Sequence, residues 1–233
     1  NSNDQVLSDY YAELSQKENI KIITLNEPFN YSRFNNIAAG YAAGTQLLFL
    51  NNDIEAVSEN WIQEMLMYSQ RNDVGAVGAQ LRYPDKTLQH CYLITGAGPH
   101  KVAIHAGLGL FEGDYGYLDR IGFVRDVSAV TGACLMVKKD IFDKIGGFDE
   151  KLSVAYNDVD ICLKIRNEGY GIIYTPYARL IHYESGTRGR DSKDSNRRRL
   201  DAEAEYIKNK WKDKLIDRYY NANFSTDREG MLR

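Results

Sequence analysis

Four apolar residues run directly into three polar ones at positions 47–53: Leu47-Leu48-Phe49-Leu50-Asn51-Asn52-Asp53. In an α/β protein this pattern predicts a buried parallel strand whose polar C-terminal end opens into a ligand crevice. A carboxylate at that point can bind a divalent cation, and the cation can bind phosphates. The same residues are equally typical of a turn in which Asp53 caps a following helix. The choice between these interpretations depends on the rest of the chain.

The composition is that of a globular protein long enough to form a substantial core. Of its 233 residues, 43% are hydrophobic and 26% are charged, as in ordinary soluble domains. The net charge of −3 argues against nucleic-acid binding, and the 17 tyrosines suit a concave surface that binds sugars or bases. Three widely spaced cysteines show neither zinc nor disulfide spacing, and no signal peptide or membrane-spanning run is recognisable. The sequence therefore predicts a cytoplasmic protein with reduced thiols.

Hydrophobic periodicity predicts a chain that alternates between helices and strands. The predicted helices are 6–17, 32–43 ending at Gly44, one starting at 58 or 59, 140–145, and 157–168 capped by Asn157. The predicted strands are 20–25, 47–53, 74–81, 89–95, 127–138, 171–174 and 178–183. The glycine-rich stretch 96–119 has no clear period, which indicates a functional or mobile segment. This pattern predicts an α/β sheet with helices on both faces.

Residues 196–233 differ in character from the domain predicted over residues 1–195. Lysines and arginines occupy much of the segment, but one helical face is apolar: Leu200, Ala204, Ile207, Trp211 and Leu215. The favoured interpretation is an amphipathic basic helix and tail packed on the domain. The alternative is a basic arm in peripheral contact with the inner face of an anionic membrane.

A second group of carboxylates begins the helix predicted at residues 157–168. Asp158 and Asp160 both lie in its first turn, where the helix dipole favours the ionised form. This placement suits a catalytic base or a ligand, and it equally suits simple helix stabilisation. Because the two residues are two positions apart, their side chains point away from each other and cannot serve one site.

A histidine ends the last predicted strand. His182 is followed by a polar, glycine-broken loop over residues 183–196 that carries Arg188. Imidazole can bind a metal, while arginine and exposed amides suit a diphosphate, so the loop is predicted to fold over such a ligand. The simpler interpretation is a surface loop with an incidental histidine.

Five short motifs occur along the chain in a specific order: Asn51-Asn52-Asp53, Thr131-Gly132-Ala133-Cys134, Gly146-Gly147-Phe148-Asp149-Glu150, Asn157-Asp158-Val159-Asp160, and His182 with Ser185 and Arg188-Gly189. In this order they resemble the family 2 glycosyltransferases of the GT-A fold. The resemblance is greatest to bacterial enzymes of O-antigen, rhamnan and other surface-polysaccharide synthesis, including rhamnosyltransferases. It implies a mixed central sheet and transfer of a sugar, with inversion, from a nucleoside-diphosphate sugar to a glycan or lipid-linked hydroxyl.

The resemblance also implies roles for individual residues. Asp53 keeps the carboxylate of the family's Asp-x-Asp motif and, with His182, is expected to bind Mg²⁺ or Mn²⁺. Asp158 matches the family's catalytic base. The expected substrate contacts are Asp4, Asn51, Asn52, Thr131, Gly132, Asp149 and Arg188.

One departure from the family pattern concerns the N-terminus. The residues Asn1-Ser2-Asn3-Asp4 resemble the tail of the family's nucleotide motif, which a strand, a helix and a second strand normally precede. The pattern thus predicts an N-terminally truncated GT-A fold whose exposed sheet edges favour a homodimer. The alternative function is a non-catalytic nucleotide- or glycan-binding module, or an inactive fragment of a larger glycosyltransferase. A metal-dependent phosphoesterase fits poorly, because it would need more clustered carboxylates and histidines.

Overall fold

A mixed β-sheet with helices packed against it organises the structure, a computed structural model that describes residues 5–184 and 194–227. Its strands are β1 Gln46–Leu50, β2 Ile54–Ala56, β3 Val74–Arg82, β4 Leu88–His90, β5 Leu93–Thr95, β6 Ala103–His105, β7 Arg125–Asp126, β8 Cys134–Lys138 and β9 Gly171–His182. Its α-helices are α1 Gln5–Leu14, α2 Tyr31–Tyr41, α3 Trp61–Ser69, α4 Lys139–Lys144, α5 Asn157–Asn167 and α6 Asp194–Trp211. Two short 3₁₀ turns cover Tyr117–Asp119 and Lys212–Leu215.

The central sheet has the order β1-β8-β3-β9-β2, with β4 attached to β3 and β7 attached to β9. Strands β3 and β9 pair in parallel, and the other pairings of this sheet are antiparallel. Strands β5 and β6 form a separate antiparallel ribbon. The mixed sheet with flanking helices confirms the predicted α/β class.

Strand β1 ends at Leu50, three residues before the predicted end at Asp53, and its surroundings also differ from the prediction. Within the described residues it pairs with β8 alone, and that pairing is antiparallel. Burial alternates along it, with Leu47 and Phe49 buried and Leu50 exposed. The prediction of a buried parallel strand was therefore wrong, because a strand with one neighbour and one covered face buries only alternate side chains.

Three other predicted elements need correction. Residues 20–25 form no strand in the structure, because no strand of the described chain lies beside them to pair with their backbone. Helix α2 ends earlier than predicted: its C-cap is Ala42, whose extended backbone leads the chain away before Gly44. The first residue of helix α5 is Asn157, and the N-cap is Tyr156, in a left-handed conformation with φ 59°.

The two strands predicted at 171–174 and 178–183 are a single strand, β9, with an irregularity in its middle. Gly78 of β3 pairs with Tyr174, whereas Gln80 pairs with Arg179, so extra residues of β9 bulge out of the ladder. Pro176 lies in this bulge, and its missing N–H explains why regular pairing is interrupted there.

The strand predicted at 127–138 is shorter than expected, since β8 contains only Cys134–Lys138. Residues 127–133 are buried, apart from the half-buried Thr131, and follow an irregular path. Their backbone groups bond to side chains from other elements, including His90 and Asp158. These bonds replace the ladder that a regular strand would need.

Helix α6 packs on the domain through its apolar face, as the favoured interpretation predicted. Ala204 and Ile207 are buried in the main hydrophobic core, and Leu215 of the following turn joins them. None of the helices in residues 5–184 and 194–227 is long and apolar enough to cross a bilayer. Cys91, Cys134 and Cys162 are all buried free thiols.

Glycines in β3 bring its neighbours unusually close. A Cβ at Gly78 would lie 2.4 Å from Cβ of Val130, whereas a Cβ at Gly40, on the exposed side of α2, would meet nothing within 4 Å. We therefore expect Gly78→Ala to lower the free energy of unfolding by about 1–3 kcal/mol through overpacking. Gly40→Ala is the matched control and should stabilise by up to about 1 kcal/mol through helix propensity. Urea unfolding of both variants checks this, and equal effects would contradict the close packing.

Candidate active site

The pairing of β2 with β9 brings Asp53 and His182 together. Ile54 lies opposite His182 in the antiparallel register, and the Tyr183 amide donates to the Asp53 carbonyl at 2.9 Å. The side chains then approach so that Nε2 of His182 lies 3.1 Å from Oδ1 of Asp53. Both side chains are largely buried. The backbone ladder thus joins two residues that are far apart in sequence.

A chain of hydrogen bonds fixes the tautomer of His182. The Gln89 amide nitrogen donates to Oε2 of Glu184 at 2.9 Å, so its Oε1 faces Nδ1 of His182 at 2.7 Å. Because Oε1 can only accept, the proton of the neutral imidazole must be on Nδ1. The lone pair of Nε2 then faces Asp53. Metal-binding histidines usually have such a second residue, which holds the proton on the ring nitrogen that does not bind the metal.

The Asp53–His182 pair fits a divalent cation. Oδ1 of Asp53 is buried, and Nε2 of His182, which carries no proton in the tautomer described above, lies beside it at 3.1 Å. Within the described chain, no cluster of three His, Cys, Asp or Glu residues has metal-binding geometry. The pair therefore supplies two ligands, which is enough for an ion such as Mg²⁺ when phosphates and water complete its shell.

A tight turn holds Asp158 at the start of α5. Its Oδ2 accepts from the Gly132 amide at 3.2 Å, and its Oδ1 accepts from the Val159 amide at 2.8 Å. Burial raises the pKa of Asp158, while these backbone donors and the charge of His105 act in the opposite direction. A carboxylate with a raised pKa, held in place by backbone groups, is suited to accept a proton.

Two further histidines lie beside this turn. Nε2 of the fully buried His90 accepts from the Thr131 amide at 3.1 Å. Its Nδ1 lies 2.9 Å from Nδ1 of His105, and the two rings meet edge to face. Together with His182, this places three of the four histidines of the chain in one region.

An open cleft of about 330 Å³ lies beside these groups. It is lined by Tyr83, Gln89, His105, Leu108, Thr131, His182 and Glu184. Asp158 lies behind this lining, since its carboxylate accepts from the amide of Gly132, the residue after Thr131. His182 of the Asp53–His182 pair thus forms part of the cleft wall, and Asp158 is joined to the residue next to Thr131 in that wall.

The structure does not bring all predicted site residues together. Asn51 is close, since its side-chain nitrogen lies 3.4 Å from Nε2 of His182, whereas Asn52 is an exposed turn residue. Asp149 is separate, because its carboxylate binds Tyr206 and Lys210 of α6 at 2.8 and 2.6 Å. Two predicted substrate contacts lie outside the described residues: Asp4 and Arg188. Most of the loop predicted to close over the ligand, residues 185–193, lies there too.

Sequence reasoning missed Gln89, His90 and His105. They lie on the short strands β4 and β6, in a region predicted as one strand followed by a patternless glycine-rich segment. The scarcity of histidine was the available signal, since only four occur in the chain. Periodicity cannot show that histidines from two strands meet, because their contact depends on the tertiary path.

Known proteins share this architecture. The structure aligns with the crystal structure of GalNAc-T7 with UDP, GalNAc and Mn²⁺ at a TM-score of 0.66 and 15% identity, over 92% of this chain and 42% of that one. This likeness establishes the GT-A fold of the nucleotide-diphospho-sugar transferases. Residues 2–146 match the family model of glycosyl transferase family 2, and the chain belongs to that family.

Bacterial relatives extend the similarity over most of the chain. This chain is 40% identical to protein y4gI of Sinorhizobium fredii, in an alignment that covers 91% of this chain and 23% of y4gI. It is also 36% identical to the O-antigen biosynthesis protein RfbC of Myxococcus xanthus, over 82% of this chain and 15% of RfbC. The chain thus spans less than a quarter of either relative. The predicted likeness to O-antigen enzymes is confirmed.

The burial of His90 makes the stability of this site depend on pH. Burial, with the nearby His105 and His182, holds the pKa of His90 well below its usual 6.5. Below pH 6.5 the unfolded chain therefore binds a proton at His90 that the folded protein does not bind. This contribution to stability is fully present above pH 6.5 and is lost as the pH falls below it.

We expect the free energy of unfolding to fall by up to about 1.4 kcal/mol per pH unit below pH about 6.5 from this group alone. His90→Gln should lose that component, because glutamine can still accept the Thr131 N–H but does not titrate. Urea unfolding of both proteins at a series of pH values checks this. An unchanged slope in His90→Gln would assign the pH dependence to other groups.

Proposed function

We propose that this chain is the catalytic domain of an inverting glycosyltransferase of surface-polysaccharide synthesis. It would move a sugar from a nucleoside-diphosphate sugar to a hydroxyl of a glycan or lipid-linked acceptor. One observation carries this proposal: the buried Asp53–His182 pair, which suits a cation, contributes His182 to a cleft wall, and the carboxylate of Asp158 bonds to Gly132 beside Thr131 in the same wall. Displacement at a sugar carbon has two requirements. The negative charge on the leaving diphosphate must be neutralised, and a proton must be removed from the incoming hydroxyl.

The diphosphate end of the cleft is assigned to Asp53 and His182. They would hold Mg²⁺ or Mn²⁺ through the buried Oδ1 and the bare Nε2. The bound ion supplies positive charge to the leaving diphosphate. Gln89 and Glu184 keep His182 in the tautomer that this requires. Arg188, in the loop that follows, is predicted to add a charge-assisted contact to the same phosphates.

The acceptor end of the cleft is assigned to Asp158. Two backbone amides orient its carboxylate, and its raised pKa makes it a stronger proton acceptor than an exposed aspartate. It would take the proton of the acceptor hydroxyl as that oxygen attacks the sugar from the face opposite the diphosphate. General base catalysis of this kind typically contributes about 10²–10⁴-fold to the rate.

The chain spans only part of the length of its relatives. What is said here of the acceptor and of the nucleotide base of the donor is therefore part of the proposal. A cytoplasmic location, contact of α6 with a membrane and pairing of two copies through a sheet edge likewise stay predictions. A basic helix and an edge strand are compatible with them.

A binding experiment tests the cation site. Titration of the chain with UDP, dTDP and GDP should show at least one diphosphate that binds tightly with Mn²⁺ and weakly without it. Mn²⁺ should be more effective than Mg²⁺, because an imidazole ligand suits Mn²⁺ better than the oxygen-seeking Mg²⁺. Asp53→Asn should abolish the metal dependence. The control Asp143→Asn, which changes an exposed aspartate of α4, should leave it unchanged. Metal-independent binding of every diphosphate would contradict the assignment of Asp53 and His182.

A kinetic experiment tests the base. Asp158→Asn keeps the shape of the side chain but removes its ability to accept a proton, so turnover should fall by about 10² or more. Donor affinity should stay close to that of the wild-type protein. Loss of donor binding with normal residual turnover would reassign Asp158 to a structural role. Donor binding by the wild-type protein without any turnover would favour the non-catalytic alternative.

A further inference from the structure

The carboxylate of Glu203 binds one short segment of backbone. Glu203 lies on α6 and is 5% exposed. Its Oε1 accepts from the amide and the hydroxyl of Ser153 at 2.8 and 2.7 Å and from the Val154 amide at 3.3 Å. Its Oε2 accepts from the Ala155 amide at 2.7 Å. Because desolvation of a buried carboxylate offsets much of what its hydrogen bonds gain, the clear effect of these bonds is geometric: they hold residues 153–155 in one conformation.

The residue that follows this segment has a strained backbone. Tyr156 has φ 59° and ψ 7°, in the left-handed region that bulky side chains rarely adopt. Such a conformation is unfavourable and persists only where the surrounding structure imposes it. Glu203 holds the Ala155 amide just before this residue, and the Tyr156 carbonyl accepts from the Asp160 amide at 2.9 Å. Tyr156 therefore sets the point and the direction at which α5 begins.

The start of α5 determines where Asp158 lies. Asp158 is the second residue of this helix, and its Oδ2 lies 3.2 Å from the amide of Gly132, the residue after Thr131 of the cleft wall. If Tyr156 relaxed to a negative φ, the first turn of α5 would rotate. The carboxyl carbon of an aspartate is only two bonds from its backbone, so the side chain cannot compensate for such a rotation. The contact with Gly132 would then be lost.

We propose that Glu203 is a positioning residue for Asp158. By holding residues 153–155 it keeps Tyr156 in the left-handed conformation, which places the Asp158 carboxylate against the cleft wall. This inference rests on the proposed function, in which Asp158 accepts the proton of the attacking hydroxyl. Glu203 takes no part in that proton transfer, since both of its oxygens bind residues 153–155. Its effect on the rate follows from geometry alone, because misplacement of a reacting group by about 1 Å can cost about 10²-fold.

Amide hydrogen exchange tests the positioning without any ligand. Glu203→Gln keeps the shape of the side chain but sets an N–H against the N–H of Ala155. We expect the Gly132 amide, which donates to Asp158, to exchange about 10-fold faster in this variant, the effect of losing one charge-assisted hydrogen bond. The reference is the amide of Val77, a buried residue of β3 that is paired on both sides, and its exchange should change much less. Equal acceleration at both amides, or none at Gly132, would overturn the inference.

A kinetic comparison separates placement of the base from binding of the donor. Release of nucleoside diphosphate from UDP-glucose, dTDP-rhamnose and GDP-mannose is measured on the full chain with Mn²⁺ and with water as the acceptor. For a donor that is turned over, Glu203→Gln should lower kcat by about 10- to 10²-fold and change KM by less than about 2-fold. The matched control Glu205→Gln makes the same change on the exposed face of α6, where Glu205 pairs with Lys208 at 2.8 Å, and should behave like the wild-type protein.

The outcomes distinguish this inference from the proposed function. A raised KM with unchanged kcat in Glu203→Gln would overturn the inference alone. Donor binding by the wild-type protein without any turnover would overturn the proposed function, and with it the role of Asp158 as a base, whatever the exchange rates are.

A milder variant covers the case in which Glu203→Gln does not fold. Ser153→Ala removes the hydroxyl that donates to Glu203 and leaves the backbone amides in place. It should accelerate exchange of the Gly132 amide in the same direction but by a smaller factor. Unchanged exchange at Gly132 in this variant would overturn the inference.

A double-substitution experiment tests the part played by the strained residue. Asparagine adopts the left-handed conformation more readily than tyrosine does, so Tyr156→Asn should make the start of α5 less dependent on Glu203. In the Tyr156→Asn background, Glu203→Gln should therefore lower kcat by a smaller factor than it does in the wild-type background. Equal factors in the two backgrounds would overturn the inference.

Discussion

The turn at residues 131–133 is the constraint on which the candidate site depends. Each of its three residues bonds through its backbone to an element that carries a site residue. The Thr131 amide holds His90, and the Gly132 amide holds Asp158. The Ala133 carbonyl accepts from the Asn51 amide at 3.0 Å, which fixes the end of β1 just before Asp53. The Ala133 bond extends the β1–β8 pairing by one residue. The Thr131 and Gly132 amides bond to side chains instead and cannot pair in a regular ladder as well, so strand β8 starts only after this turn.

Helix α6 stabilises the segment that leads to Asp158. The buried carboxylate of Glu203 accepts from the Ser153 and Ala155 amides at 2.8 and 2.7 Å, in the segment that leads to Asp158. The fully buried Asp160 accepts from Nε1 of Trp211 at 2.8 Å and is paired with Lys210. Since a buried carboxylate without partners costs several kcal/mol, these contacts make α6 a required part of the domain. Helix α6 also follows directly on the segment that contains Arg188.

The two carboxylates of α5 show how position on a helix decides function. Asp158 and Asp160 belong to the same first turn, yet Asp158 contacts the Gly132 amide and Asp160 contacts Lys210 and Trp211. The prediction that they could not serve one site is correct, because side chains two positions apart on a helix diverge by about 200°. Asp160 is compensated by a cation and stabilises packing. Asp158 accepts from two backbone amides and from the Thr131 side chain, and burial raises its pKa.

The sequence alone determined the family and the α/β class, and it predicted Asp53, Asp158 and His182 as site residues, because local patterns of hydrophobicity and short motifs carry that information. It did not determine that β1 is antiparallel at an edge, that residues 20–25 form no strand, or that Asp149 binds α6. Strand pairing and side-chain contacts join residues far apart in sequence, and no local pattern encodes them. The tertiary structure alone decided which groups meet the ring nitrogens of His90 and His182, since Thr131 and Gln89 belong to other segments of the chain.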